Sequence, residues 1–168
     1  MWDILKRHDI PASLRICAGT DGSVTMLLEL LTCKTVKVET KEQRAIKATG
    51  EVAGILDIDI GEEVNKRLVV LTAGDTVYAL ASSLAPVKRM PPDVRKDIMQ
   101  ADIPIGRILR DHKLETRRDI INMKITASAF FGVIPVLSRE YYIIHKNSIL
   151  MWINEFFPVD GRWDINRV

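Results

Sequence analysis

The order of the elements predicted from the sequence favours an α+β fold built on an antiparallel sheet. β-rich runs outnumber helical ones, several are joined by short turns that suit hairpins, and the helical stretches are grouped between the strands. Strands joined by hairpins form antiparallel sheets, whereas parallel strands need a long crossover, usually a helix. We therefore expect an antiparallel sheet with helices beside it.

The size and composition are those of one globular domain, and we expect residues 1–168 to form it. Of the 168 residues, 47% are hydrophobic and 27% are charged, which is typical of a folded protein and not of a disordered one. The 24 basic and 22 acidic residues leave a net charge of +2. So small a charge gives no support for general nucleic-acid binding, which needs a concentrated basic surface.

The sequence carries no pattern typical of membrane, secreted or metal-binding proteins. No run of about 18 uncharged apolar residues indicates a membrane span, and the charged N-terminus lacks the apolar core of a secretory signal, so we expect a cytoplasmic protein. Cys17 and Cys33 are too few for a disulfide scaffold, and we expect two buried thiols. No metal site is predicted, because no second ligand stands at metal-binding spacing from His8, His112 or His145.

The first predicted elements are a helix, a strand and a hairpin. A turn at Asp21 or Ser23 can cap an apolar helix that ends near Cys33. Residues 35–40 alternate apolar and polar with β-branched side chains, which predicts a strand with one face in water. The two β-rich runs of a hairpin follow on either side of a glycine-containing turn, at residues 67–71 and 77–81.

Two more helices and three strands complete the predicted fold. Proline suits the first turn of a helix; Pro91 and Pro92 open one helix, and Pro104 precedes another. Strands are then expected over residues 115–123, 139–145 and 149–156. Trp163 is expected to be exposed, and the tail 164–168 could pack on the domain or on a partner.

Two charged residues stand inside apolar predicted strands. Arg67 begins the first strand of the hairpin, and large apolar residues flank Glu155. A buried charge is costly unless it is paired or serves a ligand. The two residues could form a salt bridge with each other or extend their charged ends to solvent. Alternatively, they could be opposite walls of a pocket for a small, polar, anionic molecule.

Weaker candidates come from adjacent arginines and from helix starts. Arg117 and Arg118 are neighbours in a predicted strand, where successive side chains point to opposite faces, so at most one can face a given site. The helix starts at residues 23–25 and 104–106 leave backbone N–H groups free at the positive end of a helix dipole. Either start could hold a carboxylate.

Several segments share a distinctive order and spacing. They are TDGSVT at residues 20–25, DIPIGR at 102–107, ETRR at 115–118 and NEFFP at 154–158. Together they resemble the chorismate pyruvate-lyase family, in particular its archaeal and mycobacterial branch, over roughly residues 12 to 160. The resemblance implies a six-stranded antiparallel sheet with helices packed on one side and a small enclosed site under flap-like segments.

The resemblance also implies an activity and residue roles. The family converts chorismate into 4-hydroxybenzoate and pyruvate without a cofactor, so the implied partners are these small molecules. By position, Arg67 matches the arginine that binds the ring carboxylate, and Glu155 matches the glutamate that meets the ring hydroxyl. Arg118, or else Arg117, is our candidate for the second carboxylate or the ether oxygen.

Backbone groups complete the implied site. N–H groups from two segments add to the carboxylate site, one segment being Ser23, Val24 and Thr25 and the other including Ile105 and Gly106.

Two positions depart from the family pattern. Ser82 stands where an arginine is frequent, and Ala85 replaces a bulkier apolar residue, so we expect a pocket wall or pocket charge that differs. Other functions also fit these residues: a non-catalytic sensor, like the ligand-binding domains of some bacterial transcription regulators, or a lyase acting on another enolpyruvyl compound.

Overall fold

The computed structural model describes residues 2–100 and 102–165, and its centre is a six-stranded sheet. The strands are β1 (Val36–Lys47), β2 (Glu63–Ala73), β3 (Thr76–Pro86), β4 (Arg117–Ser128), β5 (Gly132–His145) and β6 (Ser148–Pro158). They lie in the order β1-β2-β3-β6-β5-β4, and every neighbouring pair is antiparallel. The predicted α+β class with an antiparallel sheet is confirmed.

Most of the helices cover one face of this sheet. The α-helices are α1 (Ala12–Gly19), α2 (Val24–Thr32), α3 (Gly50–Leu56), α4 (Pro92–Gln100) and α5 (Ile105–Asp111), and short 3-10 helices span Trp2–Lys6, Val87–Arg89 and Gly161–Trp163. α1 and α2 share one apolar core with the sheet, and α4 and α5 share a second. α3 is the exception, because it packs on the opposite face against β3 and β6.

Helix α2 begins and ends with side-chain and backbone caps. The hydroxyl of Ser23 accepts a hydrogen bond from the N–H of Met26, which makes Ser23 and not Asp21 the N-cap. Cys33 ends the helix in the left-handed conformation, with φ of 52°. Its side chain is exposed while Cys17 is buried, so the prediction of two buried thiols is wrong for Cys33.

The C-terminal segment packs on the domain. Trp163 is 2% exposed and lies in the same core as α1 and α2, so the expectation that it is exposed is wrong. Residues 166–168 of the predicted tail lie outside the described residues. Among the helices that are described, none is both long and apolar enough to cross a membrane.

Candidate active site

A cavity lies on the helix-covered face of the sheet, between the central strands and the starts of α2 and α5. It contains about 550 Å³ of space free of protein atoms, part of which is open to solvent. Eight residues predicted from the sequence line it: Ser23, Val24, Thr25, Arg67, Ile105, Gly106, Arg118 and Glu155. Its remaining walls are mainly apolar, which leaves the charged groups as the features that would orient a ligand.

Strand pairing explains why Arg67 and Glu155 face the same cavity. Arg67 on β2 lies opposite Ser83 on β3, and Ala81, two residues before Ser83, lies opposite Glu155 on β6. Alternate residues of a strand share a face, so all four side chains point to the same side. The strands that carry Arg67 and Glu155 are two strand spacings, or about 10 Å, apart.

Arg67 is 1% exposed and binds the segment that leads into α5. Its guanidinium donates to the carbonyl of Ile103 at 3.3 and 3.4 Å and to the hydroxyl of Thr40 at 3.2 Å. Burial lowers the pKa of Arg67, an effect that the negative charge of Asp102 opposes. Arg67 therefore presents a positive charge inside the cavity and also holds one of its walls.

Glu155 pairs with an arginine that the sequence analysis did not single out. One carboxylate oxygen, Oε2, accepts hydrogen bonds from Nε and Nη2 of Arg139 at 3.0 and 2.5 Å, and Oε1 accepts one from the hydroxyl of Tyr141 at 3.2 Å. Arg139 lies directly opposite Glu155 across the β5–β6 pair. The interpretation that Glu155 forms its salt bridge with Arg67 is therefore wrong.

Arg139 also binds the C-terminal end of α1. Its Nη1 atom donates to the carbonyls of Cys17, Ala18 and Thr20 at 3.1, 3.1 and 2.8 Å. Burial acts to lower the pKa of Arg139, but the charge of Glu155 together with the Tyr141 hydroxyl outweighs it and the pKa is raised. This arginine stays cationic and joins the carboxylate to the segment before α2.

The two adjacent arginines of β4 point to different sides. Arg118 lines the cavity and donates from Nη1 to the carbonyl of Asp21 at 3.1 Å, while its buried Nε has no hydrogen-bond partner among the described residues. Arg117 donates to Asp119 at 3.0 Å, and its side chain is 62% exposed. The prediction that Arg117 binds a ligand at this cavity is therefore wrong, because the alternation of side chains along β4 points Arg117 away from it.

The two helix starts and Arg118 meet at Gly106. A Cβ atom on Gly106 would lie 3.3 Å from the Ser23 hydroxyl and 3.5 Å from Nη2 of Arg118, so glycine allows this close approach. The first N–H groups of a helix have no partner within it. Those of Val24 and Ile105 therefore stand at the cavity beside the Arg118 charge, where an anionic group could accept from them.

Comparison with known proteins identifies the family. Residues 19–163 match the family described as chorismate pyruvate-lyase Rv2949c-like. The chain belongs to this family. A Methanocaldococcus jannaschii protein named "Putative lyase MJ0807" is 34% identical over 162 residues, which cover 88% of this chain and 79% of that protein.

Solved structures similar to this member of the Rv2949c-like family share its fold at low sequence identity. The effector domain of PhnF from Mycobacterium smegmatis superposes with a TM-score of 0.65 at 16% identity, covering 83% of this chain and 90% of that one. A GntR-family transcriptional regulator from Bacillus cereus gives a TM-score of 0.59 at 13% identity, covering 73% and 91%. These likenesses establish the fold of the family member and nothing about its ligand.

The two departures from the family pattern lie outside the cavity wall. Ser82 lies between Ala81 and Ser83, which both line the cavity, so its side chain points to the opposite face. Ala85 is 2% exposed and packs in the core beneath α4 and α5. Neither side chain lines the cavity, whose floor is formed by Ala81 and Ser83, so a difference from the family pattern at these two positions stays a prediction.

The cavity offers charged groups and hydrogen-bond donors but no metal ligand set. Within residues 2–100 and 102–165, no three His, Cys, Asp or Glu residues come close enough to bind one ion. The chemistry available at the described site is thus the binding of anions by arginine and backbone N–H groups, and acceptance of a hydrogen bond by Glu155.

Proposed function

We propose that this protein is a cofactor-independent lyase that converts chorismate into 4-hydroxybenzoate and pyruvate. Membership of the Rv2949c-like chorismate pyruvate-lyase family supports this activity. The main structural support is that one cavity holds Arg67 and Glu155 two strands apart, with Arg118 at its rim. Chorismate has a carboxylate and a hydroxyl on opposite sides of a six-membered ring, together with a second carboxylate on its enolpyruvyl group.

In the proposed complex the ring spans the cavity between Arg67 and Glu155. Arg67 binds the ring carboxylate, because a guanidinium can donate two parallel hydrogen bonds to it. Glu155 accepts a hydrogen bond from the ring hydroxyl through Oε1. The N–H groups of Val24 and Ile105 add to the ring-carboxylate site, and Arg118 binds the enolpyruvyl carboxylate or the ether oxygen, where negative charge develops.

The reaction itself needs little from the protein beyond this geometry. The bond between the ring and the ether oxygen breaks, and the hydrogen on the hydroxyl-bearing carbon moves to the methylene carbon of the departing group. That group thereby becomes pyruvate, and the ring becomes aromatic, which drives the reaction. Both oxygens of Glu155 already accept hydrogen bonds, so we assign it to orienting the hydroxyl and not to removing the ring hydrogen. Positioning and electrostatic stabilisation then supply the rate.

Turnover of chorismate tests the proposal directly. The purified protein is incubated with chorismate without metal or nucleotide; 4-hydroxybenzoate is measured by chromatography and pyruvate by a coupled dehydrogenase. We expect the two products in equal amounts. Arg67→Ala should lower kcat/KM by about 10²- to 10⁴-fold, because two charge-assisted hydrogen bonds are lost.

Arg117→Ala is the matched control, since it removes an arginine that pairs with Asp119 away from the cavity. We expect it to leave kcat/KM unchanged. Circular dichroism checks that Arg67→Ala is folded, and Arg67→Lys, which keeps the charge but loses the fork, should be intermediate. Normal turnover by folded Arg67→Ala would remove Arg67 from the site.

A binding protein without catalysis is the second candidate, because solved structures with this fold include the effector domain of PhnF and a GntR-family transcriptional regulator. Saturable binding of chorismate or 4-hydroxybenzoate with no product after prolonged incubation would favour it. Release of pyruvate from a different enolpyruvyl compound would instead favour a related lyase.

A further inference from the structure

Glu155 is a buried carboxylate whose two oxygens are both engaged by β5. It is 6% exposed, with Arg139 bound to Oε2 and Tyr141 to Oε1. A carboxylate oxygen can accept more than one hydrogen bond, so Oε1 keeps the capacity to accept one from a ligand. The carboxylate plane is fixed by donors on both sides.

Arg139 is itself held at every donor group. Nε and Nη2 bind Glu155, while Nη1 binds three carbonyls at the end of α1. The side chain is 1% exposed, and its Cζ atom lies 4.8 Å from the centre of the Tyr141 ring. Because of these contacts the guanidinium is held in one position, and its hydrogen bonds hold the Glu155 carboxylate in one position as well.

We propose that Arg139 and Tyr141 are positioning residues that hold Glu155 in the orientation that accepts a hydrogen bond from the substrate's ring hydroxyl. This role rests on the proposed function, in which Glu155 meets that hydroxyl. Arg139 acts from behind the carboxylate and does not line the cavity, whereas Tyr141 does.

The charges around Glu155 make Arg139 its counter-ion. The titratable and charged groups that face Glu155 are Arg139 and Tyr141 from β5, Arg67 from β2, Arg118 from β4 and Cys17 from α1. Among the described residues, Arg139 is the cation that forms an ion pair with it.

Two substitutions separate charge from geometry. Arg139→Gln removes the charge and keeps a polar side chain, whereas Arg139→Lys keeps the charge and loses the planar fork. For Arg139→Gln we expect kcat to fall about tenfold or more with KM nearly unchanged, because Arg67 and Arg118 still bind the carboxylates and only the hold on Glu155 is lost. Arg139→Lys, which can still donate a charge-assisted hydrogen bond to Glu155, should recover part of this loss. An unchanged kcat in folded Arg139→Gln would overturn the proposal.

A direct measurement of Glu155 keeps this test independent of turnover. Protein labelled with ¹³C at the glutamate side-chain carboxyl is observed by NMR at one pH, and the Glu155→Gln spectrum assigns the signal. The Glu155 signal should move or broaden in Arg139→Gln, because the carboxylate loses the two hydrogen bonds that Arg139 donates. If this change appears but the wild type does not convert chorismate, the proposed function fails while the control of Glu155 by Arg139 stands. If the wild type converts chorismate and the signal is the same in both proteins, the positioning role fails while the proposed function stands.

Tyr141→Phe provides a second route, should Arg139→Gln fail to fold. It removes one donor to Oε1 and leaves Arg139 in place, so we expect a smaller change in the Glu155 signal. We also expect kcat to fall about tenfold, the usual effect of losing a hydrogen bond to a charged group. If neither kcat nor the Glu155 signal changed, the positioning role would be overturned.

Discussion

The charged groups in and behind the cavity are one ion pair and two arginines. Arg139 and Glu155 form the ion pair, and Arg67 and Arg118 both line the cavity. Each of these two arginines can donate to a carboxylate, so the cavity suits a ligand with two carboxylates. Under the proposed function, the substrate chorismate carries two carboxylates and the product 4-hydroxybenzoate carries one. We therefore expect the cavity to bind the product more weakly than the substrate.

The two cysteines differ in environment, and their reactivity should differ accordingly. Burial raises the pKa of Cys17 to about 12, while Cys33 is exposed. The thiolate is the reactive form, so at pH 8 only about one Cys17 thiol in 10⁴ is ionised, and its burial blocks access as well. We expect Ellman's reagent to titrate one thiol per native chain and two after unfolding in guanidinium chloride. Reaction of Cys17 should rise only as the pH approaches 12.

Single substitutions assign the two thiols. Cys33→Ser should abolish the reaction of the native protein and leave one thiol after unfolding, whereas Cys17→Ala should leave the native reaction unchanged. Rapid reaction of both thiols in the native wild type would show that Cys17 is accessible.

Residue environments were predictable where a charge broke an apolar pattern. Arg67 and Glu155 stand out because Arg67 opens the apolar run at residues 68–71 and Glu155 lies in the largely apolar stretch 151–157. Arg139 does not, since its neighbours Ser138 and Glu140 are polar and its importance depends on lying opposite Glu155. Strand register is a tertiary property that no local pattern reports, so this partner could not be found from the sequence.

The cavity exists because one face of β3 carries small side chains. Ala81 and Ser83 line the cavity, whereas Leu80 and Leu84 on the opposite face are buried apolar residues. Large residues at 81 and 83 would fill the space as protein cores normally do. The alternation of small and large residues along β3 thus leaves room for a ligand next to Arg67.

A leucine at position 81 should block the site without unfolding the domain. Ala81→Leu adds three carbons to a side chain that lines the cavity, so we expect binding of 4-hydroxybenzoate to weaken more than tenfold. Isothermal titration calorimetry measures the binding, and urea unfolding should still show one cooperative transition. Ser82→Leu adds the same side chain to the opposite face and should bind normally. Equal binding by both variants would mean that the ligand does not occupy this cavity.

Elements were predictable where caps and turns were strong. Ser23 and the prolines marked the starts of α2, α4 and α5, and the glycine-containing turn marked the β2–β3 hairpin. α3 went unpredicted because two of its seven residues, Gly50 and Gly54, are glycines, which disfavour helices. β1 runs beyond its predicted end at residue 40 to Lys47, since polar residues on an exposed edge strand hide the β pattern.

At the scale of the whole molecule, the fold is shared more widely than the site. The effector domain of PhnF has the same architecture at 16% identity, so the sheet and its helices do not determine a reaction. The family assignment instead follows from a match over residues 19–163, which include the segments that line the cavity, namely the starts of α2 and α5 and the strands carrying Arg67 and Glu155. Sequence analysis could recognise those segments, but only the fold shows that they enclose one space.

The C-terminal segment joins distant parts of this fold through Trp163. Its ring packs edge-on against Tyr78 and Phe157, with centroids 5.1 and 6.1 Å apart. Its Nε1 donates to the carbonyl of Pro158 at 2.7 Å, and its own carbonyl accepts from the Ser13 hydroxyl at 2.5 Å. This one residue therefore joins α1, β3 and β6, the helix through its backbone carbonyl and the strands through its ring.

Trp163→Ala should destabilise the whole domain, whereas Trp2→Ala should not. Trp163 is 2% exposed and Trp2 is 48% exposed, so the same substitution tests burial alone. We expect the free energy of unfolding to fall by about 3–5 kcal/mol for Trp163→Ala and by less than about 1 kcal/mol for Trp2→Ala. Urea unfolding followed by circular dichroism measures both. If the free energy of unfolding fell no more for Trp163→Ala than for Trp2→Ala, the C-terminal segment would not support the fold. The core between α1 and the sheet would then close without it.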